Sequence, residues 1–466
     1  MFKKFLLFSA AASTLWFSSC GKFVDGYETS PNEPTESTPA LLLNVTQLQT
    51  FLTYSGGLSR LANIFTQHQN GTDFQYADYA AFGMQPGDFD DSWENIYSGM
   101  LDAKTLIDKA GNNNPHYRGI GKVLLAMNLG IATDIWGDIP YTQALQGEGT
   151  EGVLNPTYDS QESIIQSIQT LLSEAITDLN RLEEENILFP GEDDMIFQGD
   201  INNWIFTAHI LKARYANRLS KRNPSASATE ALAHLDAAYA AGLASSSTDC
   251  NAYFGTAGNE NNQWYAFVFQ ERPGYMQMGK FLVDNMVTMN DPRLSAYADL
   301  DANGTYSGTA LGDVDQTTST IGTYFASANS KSPMVTYVEA KFIEAEAALR
   351  AGDATRAADA HNAAIIAHIE HVTGATAPAT YVQDNASETN STITLEKIMF
   401  QKYLASFTQI ETWTDWRRTG FPNLPMTPNA RISGIPRRLQ TPLTEMNYNS
   451  NAPEIRDLLQ PVWWDN

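Results

Sequence analysis

The stretch YVEAKFIEAEAALRAGD, residues 337–353, decides the fold of this 466-residue chain. Apolar residues recur in it and just before it every three or four positions: Val335, Val338, Phe342, Ala345 and Leu349. This spacing places them on one face of an amphipathic helix, and Gly352 is typical of the position where such a helix stops. A second helical segment, 354–371, follows at once, so the sequence predicts two antiparallel helices joined by a tight turn.

Small residues recur along these two predicted helices: Ala340, Ala345, Ala347, Ala357 and Ala358. Helix pairs of this size with such alanines resemble the tetratricopeptide hairpin. Similar pairs are predicted elsewhere: Asp91–Ala110 with Pro115–Ile135, and Ser160–Leu182 with Asn202–Arg222. The match to the repeat consensus is poor outside 335–371, but the pattern predicts a mainly α fold on a scaffold of tetratricopeptide-like helical hairpins.

One long region departs from this helical pattern. Residues 41–466 are predicted to form a single helical body, and residues 244–333 are an irregular insertion within it. The insertion is rich in Gly, Ser, Thr, Asn and aromatic residues. Long irregular segments on a rigid scaffold often carry binding function, so the insertion is predicted to bind the ligand.

The N-terminus is typical of an exported lipoprotein. Two lysines precede a mostly apolar stretch, 5–17, which is too short to span a bilayer, and small residues then lead to Cys20. Residues 1–19 are therefore predicted to be a signal peptide and Cys20 to be lipidated; a plain signal peptide followed by a chance cysteine is the alternative. The Pro-, Ser-, Thr- and Glu-rich stretch 20–40 is predicted to be a flexible tether.

Composition limits the partners and the chemistry. The formal net charge of −24 argues against binding to nucleic acid or adhesion to anionic lipid. Lipidation of one of the two cysteines leaves Cys250 without an intramolecular partner, so stability must come from core burial. The sequence contains no nucleophile elbow, phosphate loop or metal-protease motif. It therefore predicts a binding protein without a cofactor rather than an enzyme.

The aromatic-rich segment NQWYAFVFQERPGYMQMGKF, residues 262–281, is the strongest candidate for ligand contact. Aromatic planes stack on the C–H faces of sugar rings, while amide, carboxylate and guanidinium groups bond the hydroxyls. The predicted ligand-contacting residues are Gln263, Trp264, Tyr265, Arg272, Tyr275 and, from a second candidate loop at 73–89, Tyr76. That loop also carries Phe74, Tyr79 and Phe82. The alternative is that Tyr265, Phe267 and Phe269 form one face of a short buried strand.

Other conspicuous residues are predicted to be structural. In ATDIWGDIPYTQA, residues 132–144, an apolar helix stops abruptly, and Trp136 is predicted to be a buried wedge with Pro140 fixing the exit of the chain. Stacking of Trp136 on a sugar is the alternative. Arg417 and Arg418 are predicted to pair with carboxylates of the scaffold rather than with a ligand.

Two patterns suggest metal binding only superficially. Three residues have the spacing of a calcium loop: Asp299, Asp301 and Asn303. The position that needs a bidentate acid is Ala310, so an Asx-rich turn is favoured over a calcium site. Three histidines share one predicted helix: His361, His368 and His371. Without a nearby cysteine to complete a zinc set, they are predicted to lie on a solvated helix face.

Taken in series, short motifs along the chain resemble the SusD/RagB family of Bacteroidetes outer-membrane lipoproteins. Besides Cys20 they are ATDIWGDIPYTQA at 132–144, LKARYANRLS at 211–220, NDPRLSAY at 290–297, YVEAKFIEAEAALRAGD at 337–353, ETWTDWRRTGFPNL at 411–424, IPRRLQTPLTEMNYN at 435–449 and VWWD at 462–465. Each motif is weak alone. Their order and their spread over nearly the whole mature chain make the resemblance specific.

The resemblance implies four tetratricopeptide-like units and an irregular ligand-binding half. It also implies a lipid-anchored protein on the cell-surface side of the outer membrane. Such a protein binds a nutrient, here an oligosaccharide or other glycan, and delivers it to a TonB-dependent transporter of the SusC type. Peptide uptake of the RagB type is the runner-up. An α-helical glycan-cleaving enzyme and a repeat scaffold that binds only protein are the remaining alternatives.

The lipid anchor gives the first testable prediction. Cys20→Ala removes the predicted acylation site, so the body of the protein should move from the membrane fraction to the soluble fraction of the cell. Fractionation with an alkaline wash measures this. A variant that stays fully membrane-bound would contradict the lipoprotein assignment.

Overall fold

The computed structural model describes residues 37–146 and 152–466. The predicted signal segment 1–19, Cys20 and nearly all of the predicted tether 20–40 lie outside the described residues. The α-helices are α1 Pro39–Ser55, α2 Gly57–Phe65, α3 Phe74–Ala80, α4 Asp90–Ala110, α5 Pro115–Trp136, α6 Gln161–Leu179, α7 Ile201–Arg218, α8 Pro224–Ala241, α9 Gln263–Tyr265, α10 Lys280–Thr288, α11 Leu294–Tyr297, α12 Tyr337–Ala351, α13 Ala354–Thr373, α14 Ala379–Asn385, α15 Leu395–Ala405, α16 Glu411–Thr419 and α17 Leu443–Tyr448.

Strands are few and short in the described part of the chain. They are β1 Gln69–Gly71, β2 Ile139–Pro140, β3 Tyr158–Asp159, β4 Cys250–Ala252, β5 Met276–Met278 and β6 Ser332–Val335. They form three antiparallel two-stranded ladders, β1 with β5, β2 with β3, and β4 with β6. The prediction of a mainly α fold is confirmed.

The long helices pack in one row in which each contacts the next: α1, α4, α5, α6, α7, α8, α12 and α13. All three predicted helix pairs are adjacent in this row, so the hairpin scaffold is confirmed. Within the described residues, no helix is long and apolar enough to cross a membrane.

The turn of the α12–α13 hairpin lies where its sequence predicts, since α12 ends at Ala351 and α13 begins at Ala354. Thr336 caps α12 by accepting a hydrogen bond from Glu339 N at 3.1 Å, and Asp353 caps α13 by accepting one from Arg356 N at 3.0 Å. Gly352 between the helices has a φ of 85°, a left-handed conformation that costs glycine little. The alanines predicted for this pair are buried, which lets the two backbones approach closely.

Trp136 is the buried wedge that its position at the end of α5 predicts. Its side chain is only 3% exposed, and its ring meets Trp93 edge-on with centroids 5.0 Å apart. The carbonyl oxygen of Trp136 accepts a hydrogen bond from Arg438, and Tyr97 Oη donates to the carbonyl oxygen of Pro140 at 2.7 Å. Burial excludes a stacking role for this tryptophan, because its ring face is not accessible to a sugar.

A cluster of buried charges joins four helices of the body. Arg214 of α7 donates two hydrogen bonds of 2.6 Å to Glu339 of α12. Arg218, one turn further along α7, pairs with Glu411 of α16 at 2.8 Å and with Asp134 of α5 at 3.0 Å. All five side chains are at most 5% exposed, so each charge depends on its neighbours for solvation. We call these five residues the ion cluster.

The two arginines of the motif TWTDWRR behave differently. Arg418 pairs with Glu346 of α12 and with Asp415, which confirms its predicted pairing with a scaffold carboxylate. For Arg417 the prediction is wrong. Its Nη1 donates to the carbonyl oxygens of Asp134 at 2.6 Å and Arg437 at 2.9 Å, and its guanidinium stacks on an aromatic ring, Trp413, at 4.1 Å.

The prediction of a solvated histidine face on α13 is wrong for two of the three histidines. His361 and His368 are 1% and 7% exposed. His368 lies 3.0 Å through Nδ1 from Arg293 Nη1, and because arginine only donates, this nitrogen must accept. Burial and the charge of Arg293 lower the pKa of His368, which keeps the ring neutral. Segments far away in sequence cover this face of the helix, so its burial was invisible in the local pattern.

The candidate calcium loop is a hydrogen-bonded turn, as the sequence favours. The carboxylate of Asp301 accepts hydrogen bonds from the backbone nitrogens of Asn303 at 2.8 Å and Thr305 at 3.0 Å. It also accepts from the hydroxyls of Thr305 and Ser307. No group of three or more acidic, histidine or cysteine ligands capable of holding a metal occurs among residues 37–146 and 152–466.

The second prediction concerns the Trp136 corner. Trp136→Ala should lower the free energy of unfolding by about 3–5 kcal/mol, because it leaves a cavity against Trp93. Urea denaturation measures the change. Tyr448→Ala is the matched control, since Tyr448 is 81% exposed and its loss should cost little. A stable Trp136→Ala protein that loses only ligand affinity would contradict the wedge.

The third prediction concerns the ion cluster. Glu411→Gln keeps the shape of the side chain but leaves Arg214 and Arg218 short of counter-charge, so the free energy of unfolding should fall by about 3–5 kcal/mol. The control is Glu454→Gln, which breaks an exposed pair with Arg456 and should cost less than about 1 kcal/mol. Urea denaturation measures both changes. If the two variants lowered the free energy of unfolding equally, the buried ion cluster would contribute no more to stability than an exposed ion pair.

Candidate ligand-binding surface

The two candidate ligand-binding segments of the sequence meet in space. Strand β1 pairs with β5, so that Gly71 lies opposite Met276. Just beyond the ladder, Thr72 N donates to the carbonyl oxygen of Tyr275 at 2.9 Å. The loop at 73–89 and the segment at 262–281 therefore form one surface, although nearly two hundred residues separate them in the chain.

Two aromatic rings define this surface. Phe74 and Tyr275 are nearly parallel, with centroids 5.2 Å apart and an angle of 18° between their planes. Phe74 is 68% exposed, whereas Tyr275 is half-buried. Arg272 is exposed, and its guanidinium lies 5.8 Å from the centre of the Tyr275 ring. We call Phe74, Tyr275 and Arg272 the aromatic face.

The backbone of Phe74 is held in an unfavourable conformation. Its φ is 41°, in the left-handed region that residues with a side chain rarely adopt, at a cost of about 1–3 kcal/mol. Asp73 stabilises this conformation by accepting a hydrogen bond from Phe74 N at 2.9 Å. Apart from its contact with Tyr275, this large apolar ring stays mostly exposed on a strained backbone. Such strain clusters at ligand-contacting sites.

A second layer of side chains supports the aromatic face from beneath. Arg60 of α2 donates from Nε to Tyr76 Oη at 3.0 Å, and its guanidinium lies 4.2 Å from the centre of the Phe267 ring. Phe267 in turn packs edge-on against Tyr275, with centroids 6.2 Å apart. Tyr76 is only 7% exposed. It therefore belongs to this supporting layer, and the prediction that its ring contacts ligand directly is wrong.

This chain resembles proteins of known family and known structure. The SusD-like family profile, described as "Starch-binding associating with outer membrane", matches residues 31–442. The chain belongs to this SusD-like family. A solved chitin-binding protein is 25% identical, with a TM-score of 0.76 over 92% of this chain and 100% of its own.

Two further solved structures share the SusD-like fold. A chitin-binding SusD homolog from Flavobacterium johnsoniae is 21% identical, with a TM-score of 0.77 over 91% of this chain and 98% of its own. A SusD/RagB family protein from Bacteroides thetaiotaomicron is 22% identical, with a TM-score of 0.74 over 92% of this chain and 99% of its own. Among curated proteins, none matches this chain.

Trp264 does not offer a stacking plane in this SusD-like chain. The side chain is fully buried, at 0% exposure. Asn262 caps the short helix α9 by accepting hydrogen bonds from the backbone nitrogens of Trp264 at 2.9 Å and Tyr265 at 3.1 Å. Asn262 also donates from Nδ2 to the carbonyl oxygen of Ser330 at 2.9 Å, which turns Trp264 inward. Trp264 is therefore a core residue, and its predicted ligand contact is wrong.

The buried-strand alternative for this segment is also wrong. Residues Gln263–Tyr265 are helical, and Ala266–Glu271 continue as a π-helix. Tyr265 and Phe269, four residues apart, lie side by side with ring centroids 5.8 Å apart. Phe269 is 37% exposed, while Tyr265 and Gln263 are half-buried. Phe269 is therefore an exposed ring of the same segment as Arg272.

Sequence reasoning named Phe74 and Tyr275 but missed how they combine. Nothing local in the sequence shows that β1 pairs with β5. Arg60 was not singled out at all, since an arginine on an amphipathic helix carries no signal of its own. In a SusD-like chain, an arginine beneath an exposed aromatic pair becomes recognisable only once the fold brings them together.

Proposed function

We propose that this chain binds an oligosaccharide or other glycan at the aromatic face and delivers it to a SusC-type TonB-dependent transporter. The exposed Phe74–Tyr275 pair carries the proposal. Its rings offer a plane for the C–H face of a sugar, and Arg272 supplies donors for hydroxyl oxygens. The family description and the chitin-binding relatives support a glycan as the ligand.

The shape of the aromatic face suits cargo that must be released again. The face is an open surface, so it contacts one side of an extended ligand and leaves the other side in water. We expect dissociation constants from micromolar to millimolar, or about −4 to −8 kcal/mol. A transporter partner would then compete for a ligand that is not enclosed in a deep pocket.

The proposal also includes a lipid anchor that brings the protein close to its transporter partner. Acylation of Cys20 would hold the body at the outer membrane, on the cell-surface side, with residues 20–40 as its tether. The family description associates such proteins with the outer membrane, which supports this location. Peptide cargo of the RagB type is the second candidate, because Phe74, Tyr275 and Arg272 would also accept an aromatic or acidic peptide side chain.

The fourth prediction tests the aromatic face. Phe74→Ala and Tyr275→Ala should each weaken binding of an oligosaccharide by about 1–3 kcal/mol, the scale of losing one stacking plane. Isothermal titration with chitohexaose and maltohexaose measures the affinity, and circular dichroism checks the fold. The matched control is Phe189→Ala, which removes a ring that is 48% exposed on the loop between α6 and α7.

Three results would contradict the proposal. Equal affinity of Phe74→Ala and wild type, with native spectra, would remove the aromatic face from the site. Binding of peptides but not of either oligosaccharide would favour the RagB-type alternative. Cleavage of the oligosaccharide during titration would favour the enzyme alternative.

A further inference from the structure

A cleft separate from the aromatic face opens beside the last helical hairpin. Its volume is about 1070 Å³, at the upper end of the range for small-molecule pockets. One wall is a stripe along α13: Ala363, Ile366, Ala367, Glu370 and His371. The opposite wall comes from the start of the insertion: Ser245, Ser246, Ser247, Asp249, Asn251 and Tyr253. None of its lining residues belongs to the aromatic face.

Three tyrosines line this cleft. Tyr324 is 40% exposed, and Tyr253 and Tyr337 are half-buried, so part of each ring remains accessible. The Nζ of Lys331 lies 4.9 Å from the centre of the Tyr253 ring. Ala363 and Ala367 line the same cleft, and their small side chains take up little of its volume. The cleft therefore combines aromatic planes with a wall that a flat ring can approach.

The polar groups of the cleft suit a neutral ligand. Asp249 is 5% exposed and accepts a hydrogen bond from Tyr337 N at 2.7 Å. Burial raises the pKa of Asp249 to about 8, so its carboxyl group is mostly protonated at pH 7 and can donate a hydrogen bond. The charges of Lys331 and Glu370 offset one another. Hydroxyl and amide groups of Ser245, Ser247 and Asn251 complete the lining.

We propose that this cleft is a second binding site, which takes a short neutral saccharide. Tyr253 and Tyr324 would stack on the sugar ring, while the exposed hydroxyls of Ser245 and Ser247 would bond the hydroxyls of the sugar. Alternating aromatic planes and hydrogen-bonding groups match a sugar better than a peptide, whose backbone would need an ordered row of partners. The site is independent of the aromatic face, and the chain would hold two saccharides at once.

The experiment weakens the aromatic face and then fills the cleft. The background variant is Phe74→Ala, and the probes are chitobiose and maltose, titrated calorimetrically. We expect the background variant to bind at least one disaccharide with a stoichiometry of one. Adding Ala367→Trp places a large ring in the cleft and should weaken that binding at least tenfold. Ala241→Trp is the control, because Ala241 is an exposed alanine at the end of α8.

A second variant tests the proposal even if the Ala367→Trp protein does not fold. Tyr324→Ala removes an exposed ring and should also weaken disaccharide binding several-fold, with an unchanged circular dichroism spectrum. The proposal is overturned if neither disaccharide binds the Phe74→Ala protein, or if Ala367→Trp and Tyr324→Ala leave the affinity unchanged. Binding of trialanine in place of both sugars would overturn it in favour of a peptide site. The two proposals fail separately: Phe74→Ala should weaken hexasaccharide binding and leave disaccharide binding unchanged, whereas Ala367→Trp should weaken disaccharide binding.

Discussion

The pairing of Glu411 with Arg214 and Arg218 is the constraint on which the rest of the body depends. Burial alone would raise the pKa of Glu411, but the two arginines outweigh it and lower the pKa to about 2. The carboxylate is therefore charged at neutral pH. A buried charge of this kind is tolerated only in one register, because a shift of either helix would leave it unpaired. The cluster thus specifies how α16 docks on the scaffold.

The same cluster also holds strand β6, which lies beside the proposed cleft. Arg214 donates from Nη2 to the carbonyl oxygen of Met334 at 2.8 Å, so one side chain holds both a scaffold carboxylate and strand β6. Strand β6 pairs with β4, which is flanked by Asp249 and carries Asn251 of the cleft. A second contact holds β1, the strand next to the aromatic face. His68 directly precedes β1, and its Nε2 is 3.0 Å from the carbonyl oxygen of Tyr403, near the end of α15. The aromatic face and the cleft are therefore both positioned by the packing of α12, α15 and α16.

Sequence patterns predicted the parts of the structure that local periodicity controls. The helix pairs, the stop at Gly352 and the wedge at Trp136 all follow from apolar spacing and from helix-ending residues. Trp264, His368 and Arg417 were misjudged, because their surroundings come from segments far away in the chain. The segment after Tyr265 was misjudged for a second reason. It forms a π-helix, so the alternation of its aromatic residues does not indicate a strand.

The aromatic face depends on contacts that other parts of the chain supply. Holding Phe74 at a φ of 41° costs free energy that the loop cannot recover from its own packing, because the ring is exposed. The cost is offset by contacts beneath the face, where Arg60, Tyr76 and Phe267 pack together, and by the hydrogen bond from Thr72 to Tyr275. A ring fixed in this way loses little conformational entropy when ligand binds. A shallow surface of this kind would bind a ligand measurably and still release it quickly, as the proposed transfer to a transporter requires.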